Sequence, residues 1–267
     1  MIPPRPPASA VAPFGAGLHR RTGRLDIMMT DGAGRYRQRG RNSWEIVRCA
    51  DRAVAYPCRM PRLLRIDSSI SDDSRTRRIG DAFQRVWEAR GEDYSTVARD
   101  LVADPLPHFS ALALHFPERL RDGRTAPPEL EAQQRAVLEE LGAADALLIG
   151  APMYNFSMPS QLKAWIDLVH VPGLTAPFDS DTQPYRGRTA YVVSARGAAY
   201  DPGSPEEAMD HVIPPIRIVL EQGLGIPVVP VVTSRTLAPM LPALGVERAQ
   251  AEFDAAVARA EELAARA

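Results

Sequence analysis

From about residue 60 to the C-terminus the sequence predicts an α/β fold, a five-stranded parallel sheet with helices on both faces. Three observations carry that expectation. Five short apolar runs alternate with five stretches of helical spacing, the pattern of strand–helix–strand crossovers. One run, Ala146-Leu147-Leu148-Ile149-Gly150, is apolar throughout, as a strand covered on both faces must be. The first run closes in a polar turn, Asp67-Ser68-Ser69.

Leu63-Leu64-Arg65-Ile66 is the first strand, closed by Asp67-Ser68-Ser69. A helix follows over about 74–90, with Ile79, Phe83, Val86 and Trp87 on one face and Gly91 where a helix stop belongs. A weaker strand covers about 94–101, and 105–128 is a long irregular excursion. Leu130, Val137, Leu138 and Leu141 mark a helix over 129–141. After the strand 146–150 comes a helix over 157–169, with Ser157 as N-cap and Leu162, Trp165, Ile166 and Val169 on its buried face. The last strands are 190–193 and 228–232, followed by helices over about 205–224 and 246–265.

Residues 1–59 read differently. Pro-rich and Gly-rich stretches and scattered arginines show no sustained apolar period, so this segment is expected to be a leader without a fold. The apolar part of a secretory or twin-Arg signal is missing, and Asp26, Asp31 and Glu45 count against an organellar transit peptide. The expectation is that translation begins at Met60 and that 1–59 belongs to an over-extended gene model.

The 267 residues are 45% hydrophobic and 24% charged, ordinary globular composition. The net charge of −1 hides a split: eleven arginines against four acids give 1–59 a charge of +7, which leaves −8 for 60–267. An acidic body argues against nucleic acid as a partner. No run approaches the roughly 20 apolar residues of a membrane-spanning helix. The only cysteines, Cys49 and Cys58, lie in the leader, which excludes a disulfide framework, a Cys metal site and a Cys nucleophile in the body. His19, His108, His115, His170 and His211 show no metal spacing, and His170 is expected to act as a dipole partner at a helix C-terminus. The single lysine, Lys163, reads as compositional bias.

In parallel sheets ligands bind outside the carboxyl ends of the strands, where strand order reverses. Three loops therefore matter. The first runs Asp67-Ser68-Ser69-Ile70-Ser71-Asp72-Asp73-Ser74-Arg75-Thr76 into a helix; its hydroxyls and free amides suit a phosphate, or equally a plain helix cap. No Gly-rich dinucleotide fingerprint and no Gly-Lys-Ser/Thr loop is present. The second, Gly150-Ala151-Pro152-Met153-Tyr154-Asn155-Phe156-Ser157, sets two aromatics around an amide, which suits a planar ligand. The third, Ser194-Ala195-Arg196-Gly197-Ala198-Ala199-Tyr200, brings an arginine and a glycine to the same edge.

Together with Pro159-Ser160-Gln161-Leu162-Lys163-Ala164-Trp165-Ile166-Asp167, these loops resemble the FMN-dependent NADH azoreductase and quinone reductase family. The resemblance implies a flavodoxin-like three-layer sandwich with strand order 2-1-3-4-5. It implies that Ser69, Ser74, Arg75 and Thr76 hold the FMN phosphate, and that Met153, Tyr154, Asn155 and Phe156 wrap the ring and ribityl chain. Ala195, Arg196, Gly197 and Ala198 stand where the family reads Ser-Arg-Gly-Gly, so one hydroxyl and one glycine are lost. Phe178, in the altered stretch 174–185, substitutes for an aromatic beside the substrate.

The implied activity is ping-pong reduction of quinones and azo compounds by NADH or NADPH through bound FMN, in a cytoplasmic homodimer to which the excursion 105–128 contributes. Arg196 is expected to place a fixed positive charge near the ring carbonyls. The alternatives are an NAD(P)H:FMN reductase that releases its flavin and a flavodoxin-type electron carrier. No Ser/His/Asp arrangement supports a hydrolase.

Overall fold

The computed structural model describes residues 60–267 and, upstream, the backbone of β1 (Ala16–Arg21), β2 (Arg24–Asp31), β3 (Gly34–Gln38) and β4 (Trp44–Ile46). The chain divides into two compact units, Met1–Met60 and Pro61–Ala267. The four upstream strands pair in sequence order as an antiparallel meander, with Leu18 opposite Ile27 and Tyr36 opposite Ile46. These strands lie inside the segment 1–59 that is expected to be a leader. Along β2, Leu25, Ile27 and Met29 recur with a period of two. Cys49 and Cys58 lie outside the described residues.

In the second unit β5 (Arg62–Asp67), β6 (Ser95–Asp100), β7 (Ala146–Gly150), β8 (Thr189–Ala195) and β9 (Val228–Thr233) form a wholly parallel sheet in the order β6-β5-β7-β8-β9. Counted from β5, that is the expected 2-1-3-4-5. The helices are α1 (Arg75–Glu88), α2 (Pro128–Ala143), α3 (Ser160–Val169), α4 (Ile213–Arg217) and α5 (Val246–Arg266).

Because side chains alternate along a strand, β7 feeds two cores. Leu147 and Ile149 join Leu162, Trp165, Ile166 and Leu141 beneath α2 and α3. Ala146 and Leu148 join Ile79, Phe83, Trp87, Phe253 and Ala260 beneath α1 and α5. That second face also holds charge. Arg65 and Asp67, two residues apart on β5 and both buried, pair at 2.9 Å, and Arg65 reaches Asp81 on α1 at 2.7 Å.

Two local expectations fail for identifiable reasons, and a third segment keeps its irregular course. α3 begins at Ser160 with Pro159 as its cap residue, because Ser157 is committed to a turn with Tyr154. The helix expected over 205–224 is broken into a 3-10 turn at Pro205–Met209, the short α4 and a π turn at Ile218–Gly223. Asp210 ends the first piece by accepting the amides of Val212 (2.9 Å) and Ile213 (3.4 Å), and Pro214 and Pro215 have no N–H to extend a helix back through it. The excursion 105–128 contains single 3-10 turns at Leu112–His115 and Glu118–Leu120, pinned where Gln134 donates to the carbonyls of Leu114 (2.8 Å) and Leu168 (3.1 Å).

His170 is not a cationic dipole partner. It ends α3 through its backbone, and its half-buried ring packs so tightly on Gly223 that a Cβ there would lie 2.9 Å away. Burial lowers the imidazole pKa, the neighbouring His115 lowers it further, and Asp167 opposes them weakly. Among the described residues no helix is long and apolar enough to cross a membrane, and no His/Cys/Asp/Glu group could hold a metal ion.

The unfolded chain takes up a proton at the ordinary imidazole value of 6.5, and the folded chain only at a lower pH. Stability is therefore lost as the pH falls from about 6.5 through that lower value. Melting temperatures measured between pH 7 and 5 should fall less steeply in His170→Gln than in the parent; parallel slopes would contradict the assignment.

Candidate functional site

Strand register brings the three loops level. Asp67 stands opposite Gly150, and Gly150 opposite Val193, so loops after β5, β7 and β8 leave the carboxyl edge side by side. Strand order reverses between β5 and β7, where crevices for ligands form.

In the first loop Ser68 donates to the Gly150 carbonyl at 2.6 Å. Ser74 caps α1 by accepting the Arg77 amide (3.2 Å), and its hydroxyl lies 2.9 Å from that of Thr76. The amides of Arg75 and Thr76 open the helix with no partner among the described residues. Asp72 and Asp73 are exposed. The Arg75 guanidinium, expected at the phosphate, instead donates to the Ala249 carbonyl at 3.1 Å and lies over the Phe253 ring. At the first position of α1 its side chain is carried across onto α5, so only its amide stays at the loop.

Arg77, which sequence reasoning missed, serves the loop instead. Its guanidinium donates to the Ser69 carbonyl at 3.0 Å and pairs with Asp100, at the end of β6, at 2.8 Å. The hydrogen bond from Arg77 holds the Asp100 carboxyl below the ordinary carboxylate range, whereas burial pushes Asp67 up against the pull of Arg65 and Arg77.

The second loop is tied to β8 by the amides of Ala151 and Met153, which donate to the carbonyls of Val193 (2.7 Å) and Ala195 (2.9 Å). Tyr154 and Ser157 then exchange backbone hydrogen bonds of 2.9 and 3.1 Å around a two-residue turn. Asn155 (φ 50°) and Phe156 (φ 69°) both sit in the left-handed region, costly for a bulky side chain. The turn swings the Tyr154 hydroxyl onto the first loop, where it accepts the Ile70 amide at 3.0 Å and lies 3.3 Å from the Ser69 hydroxyl. Ile70, Met153, Tyr154, Asn155, Met158 and Gln161 line an open hollow of about 590 Å³. Phe156 is 52% exposed beside it.

The third loop is splinted against the segment after β9. Arg196 donates to the Thr233 carbonyl, and the amides of Thr236, Leu237 and Arg235 donate to the carbonyls of Arg196, Gly197 and Ala198, all at 3.0 Å. Arg196 is not a free charge: its guanidinium is buried, pairs with Asp210 at 2.5 Å and lies over Tyr200. It lines a separate hollow of about 550 Å³ rather than the one beside Tyr154. Its Nε, with the hydroxyls of Ser194 and Thr233, is buried without a partner among the described residues.

Arg235, also missed by the sequence, is buried at φ 61° with its guanidinium on Asp201 and Glu252. Phe178 is 64% exposed and leans on Phe116, its segment held where Arg119 pairs with Asp179 and donates to the Gly173 carbonyl at 2.7 Å. It does not line the hollow beside Tyr154.

Comparison with known proteins bears on the fold. A family model described as a flavodoxin-like fold matches residues 61–264. The chain is similar to an FMN-dependent NADH:quinone oxidoreductase of Kineococcus radiotolerans, 48% identical over 209 residues, 77% of this chain and 99% of that one. A protein of the same name from Streptomyces avermitilis is 37% identical over 219 residues, covering 78% and 99%. Among solved structures, an FMN-dependent NADH-azoreductase from Bacillus anthracis in complex with FMN superposes with a TM-score of 0.65 at 19% identity, over 77% of this chain and 98% of that one. That last likeness is one of fold.

Phe156→Gly should stabilise the protein without ligand by about 0.5–1 kcal/mol, because glycine holds a left-handed conformation without steric cost. A denaturant midpoint at or below that of the parent would mean that the turn is not strained.

Proposed function

The chain belongs to the family with the flavodoxin-like fold, and from that membership we propose an FMN-dependent NAD(P)H oxidoreductase that reduces quinones by two electrons and cleaves azo compounds reductively. One observation carries the reading to a site: the Tyr154 hydroxyl joins the first and second loops at the point of strand-order reversal, beside an open hollow. Its volume of about 590 Å³ lies within the 300–1,000 Å³ usual for ligand pockets. The names and near-full coverage of the relatives support the chemistry.

The residues present fit the cofactor. Hydroxyls of Ser69, Ser74 and Thr76, with the free amides of Arg75 and Thr76, form the uncompensated donor end that a phosphate needs. In this reading Met153, Tyr154, Asn155 and Phe156 border the place for the ring, and the third loop, Ala195, Arg196, Gly197 and Ala198, is joined to them where the Ala195 carbonyl accepts the Met153 amide. FMN, when bound, supplies hydride transfer between the nicotinamide donor and the acceptor. What the chain supplies is binding and orientation, with donor and acceptor taking turns at one open face. Arg196 is half of a neutral pair with Asp210 rather than a lone cation.

We place this activity in residues 60–267 and infer a homodimer. Apolar side chains left exposed beside the site, Phe156 at 52% and Ile218 at 57%, support a second copy covering this edge.

The purified chain, supplied with FMN, should show flavin absorption bands that bleach with NADH in the absence of oxygen and return on adding benzoquinone. Steady NADH oxidation with quinone separates the enzyme from an electron carrier. A colourless protein that cannot be reconstituted with FMN would overturn the proposal.

A further inference from the structure

We propose that Arg77 is a positioning residue for the cofactor phosphate: with Tyr154 it grips both ends of one peptide unit and so sets the shape of the first loop. The inference rests on the reading of this edge as an FMN site. The peptide joining Ser69 to Ile70 is held at its carbonyl by Arg77 Nη2 and at its N–H by the Tyr154 hydroxyl, each at 3.0 Å. A peptide unit is planar, so fixing its oxygen and its N–H fixes the orientation of the whole plane. The two grips come from different elements, α1 and the turn after β7.

Arg77 is itself anchored. Nη1 pairs with Asp100 at 2.8 Å and lies 3.8 Å from Asp67, while Asp100 accepts the amides of Val102 (2.9 Å) and Ala103 (3.3 Å). A row from Asp100 through Arg77 and the 69–70 peptide to Tyr154 therefore crosses the carboxyl ends of β6, β5 and β7. Ser69, whose hydroxyl is the first phosphate donor in this reading, sits inside that row. The planar guanidinium presents separate N–H groups to Asp100 and to the Ser69 carbonyl at once; a lysine ammonium has no such fork.

The test uses the full-length chain freed of flavin. FMN is titrated by the quenching of its fluorescence into the parent, Arg77→Gln, Arg77→Lys, Tyr154→Phe and the Arg77→Gln/Tyr154→Phe double variant. Amide hydrogen exchange over 68–76 is followed without FMN. Arg77→Gln should raise the FMN Kd about tenfold, as loss of a charged hydrogen bond does, and Arg77→Lys should recover little of it. Exchange over 68–76 should quicken in Arg77→Gln and in Tyr154→Phe. The double variant should bind more tightly than the product of the single losses predicts, because both grips act on one peptide.

An Arg77→Gln Kd within twofold of the parent, or losses that multiply in full, would refute the role. Should Arg77→Gln fail to fold, Asp100→Asn, which loosens only the anchor, must weaken FMN in the same direction; unchanged affinity there overturns the inference. If the parent itself binds no FMN, the site reading fails, and the exchange data then judge the grip by themselves: no quickening in Arg77→Gln ends it.

Discussion

Arg65 lies beneath α1, only 7% exposed, and each nitrogen of its guanidinium has a partner. Nε goes to Asp67 (2.9 Å), Nη1 to Asp81 (2.7 Å) and Gln84 (2.9 Å), and Nη2 to the Arg77 carbonyl (3.4 Å). Three of those four groups belong to α1. A Cβ on Gly80 would stand 3.3 Å from Nη2, so glycine is what lets the helix approach so closely. A buried ion pair adds little net stability, yet breaking one costs about 3–5 kcal/mol. Its value here is directional. Ile79 and Phe83 would bury equally well with α1 slid or turned slightly, whereas Arg65 accepts one placement.

The placement of α1 decides what stands at the sheet edge. It sets where the uncapped amides of Arg75 and Thr76 emerge, and it brings Arg77 within reach of both Ser69 and Asp100. Asp67, held by Arg65, in turn dictates Gly150: a Cβ there would lie 3.2 Å from the Asp67 carboxylate. Gly150 opens the second loop, whose turn places two consecutive non-glycine residues in the left-handed region. The strain is held by the hydrogen bonds on either side of the turn, to β8 through Met153 and to the first loop through the Tyr154 hydroxyl.

Much of this was legible because strands and amphipathic helices are local patterns. The run at β7 and the spacing of Leu162, Trp165, Ile166 and Val169 on α3 needed no knowledge of the rest of the chain. The loops Ser69–Thr76 and Met153–Phe156 were found because their composition is unusual where strands end. What stayed hidden is long-range pairing. Arg77 with Asp100, Arg235 with Asp201, and Arg196 with Asp210 bring together residues with no shared periodicity, in a chain where arginine is everywhere. Arg75 misled because adjacency to a helix start predicts where its amide points and not where its side chain goes. Ser157 misled because a serine before a helix caps it only if its backbone is free, and here that backbone closes the turn with Tyr154.

The same logic accounts for the two departures in the third loop. In the family pattern, residue 198 is a glycine and residue 195 carries a hydroxyl. Here Ala198 has no positive φ, so nothing in its backbone requires glycine, and its carbonyl is fixed by the Arg235 amide. Ala195 takes part through its carbonyl, which accepts Met153, a role indifferent to the side chain. Gly197 is different. A Cβ there would meet Leu237 at 3.0 Å, against the very segment that splints the loop. The position that keeps its glycine is the one that packing constrains, and the positions that drift are those where only the backbone is used. Arg235, locked between Asp201 and Glu252, holds the Ala198 carbonyl through its amide, so the path of the loop rests on neither missing group.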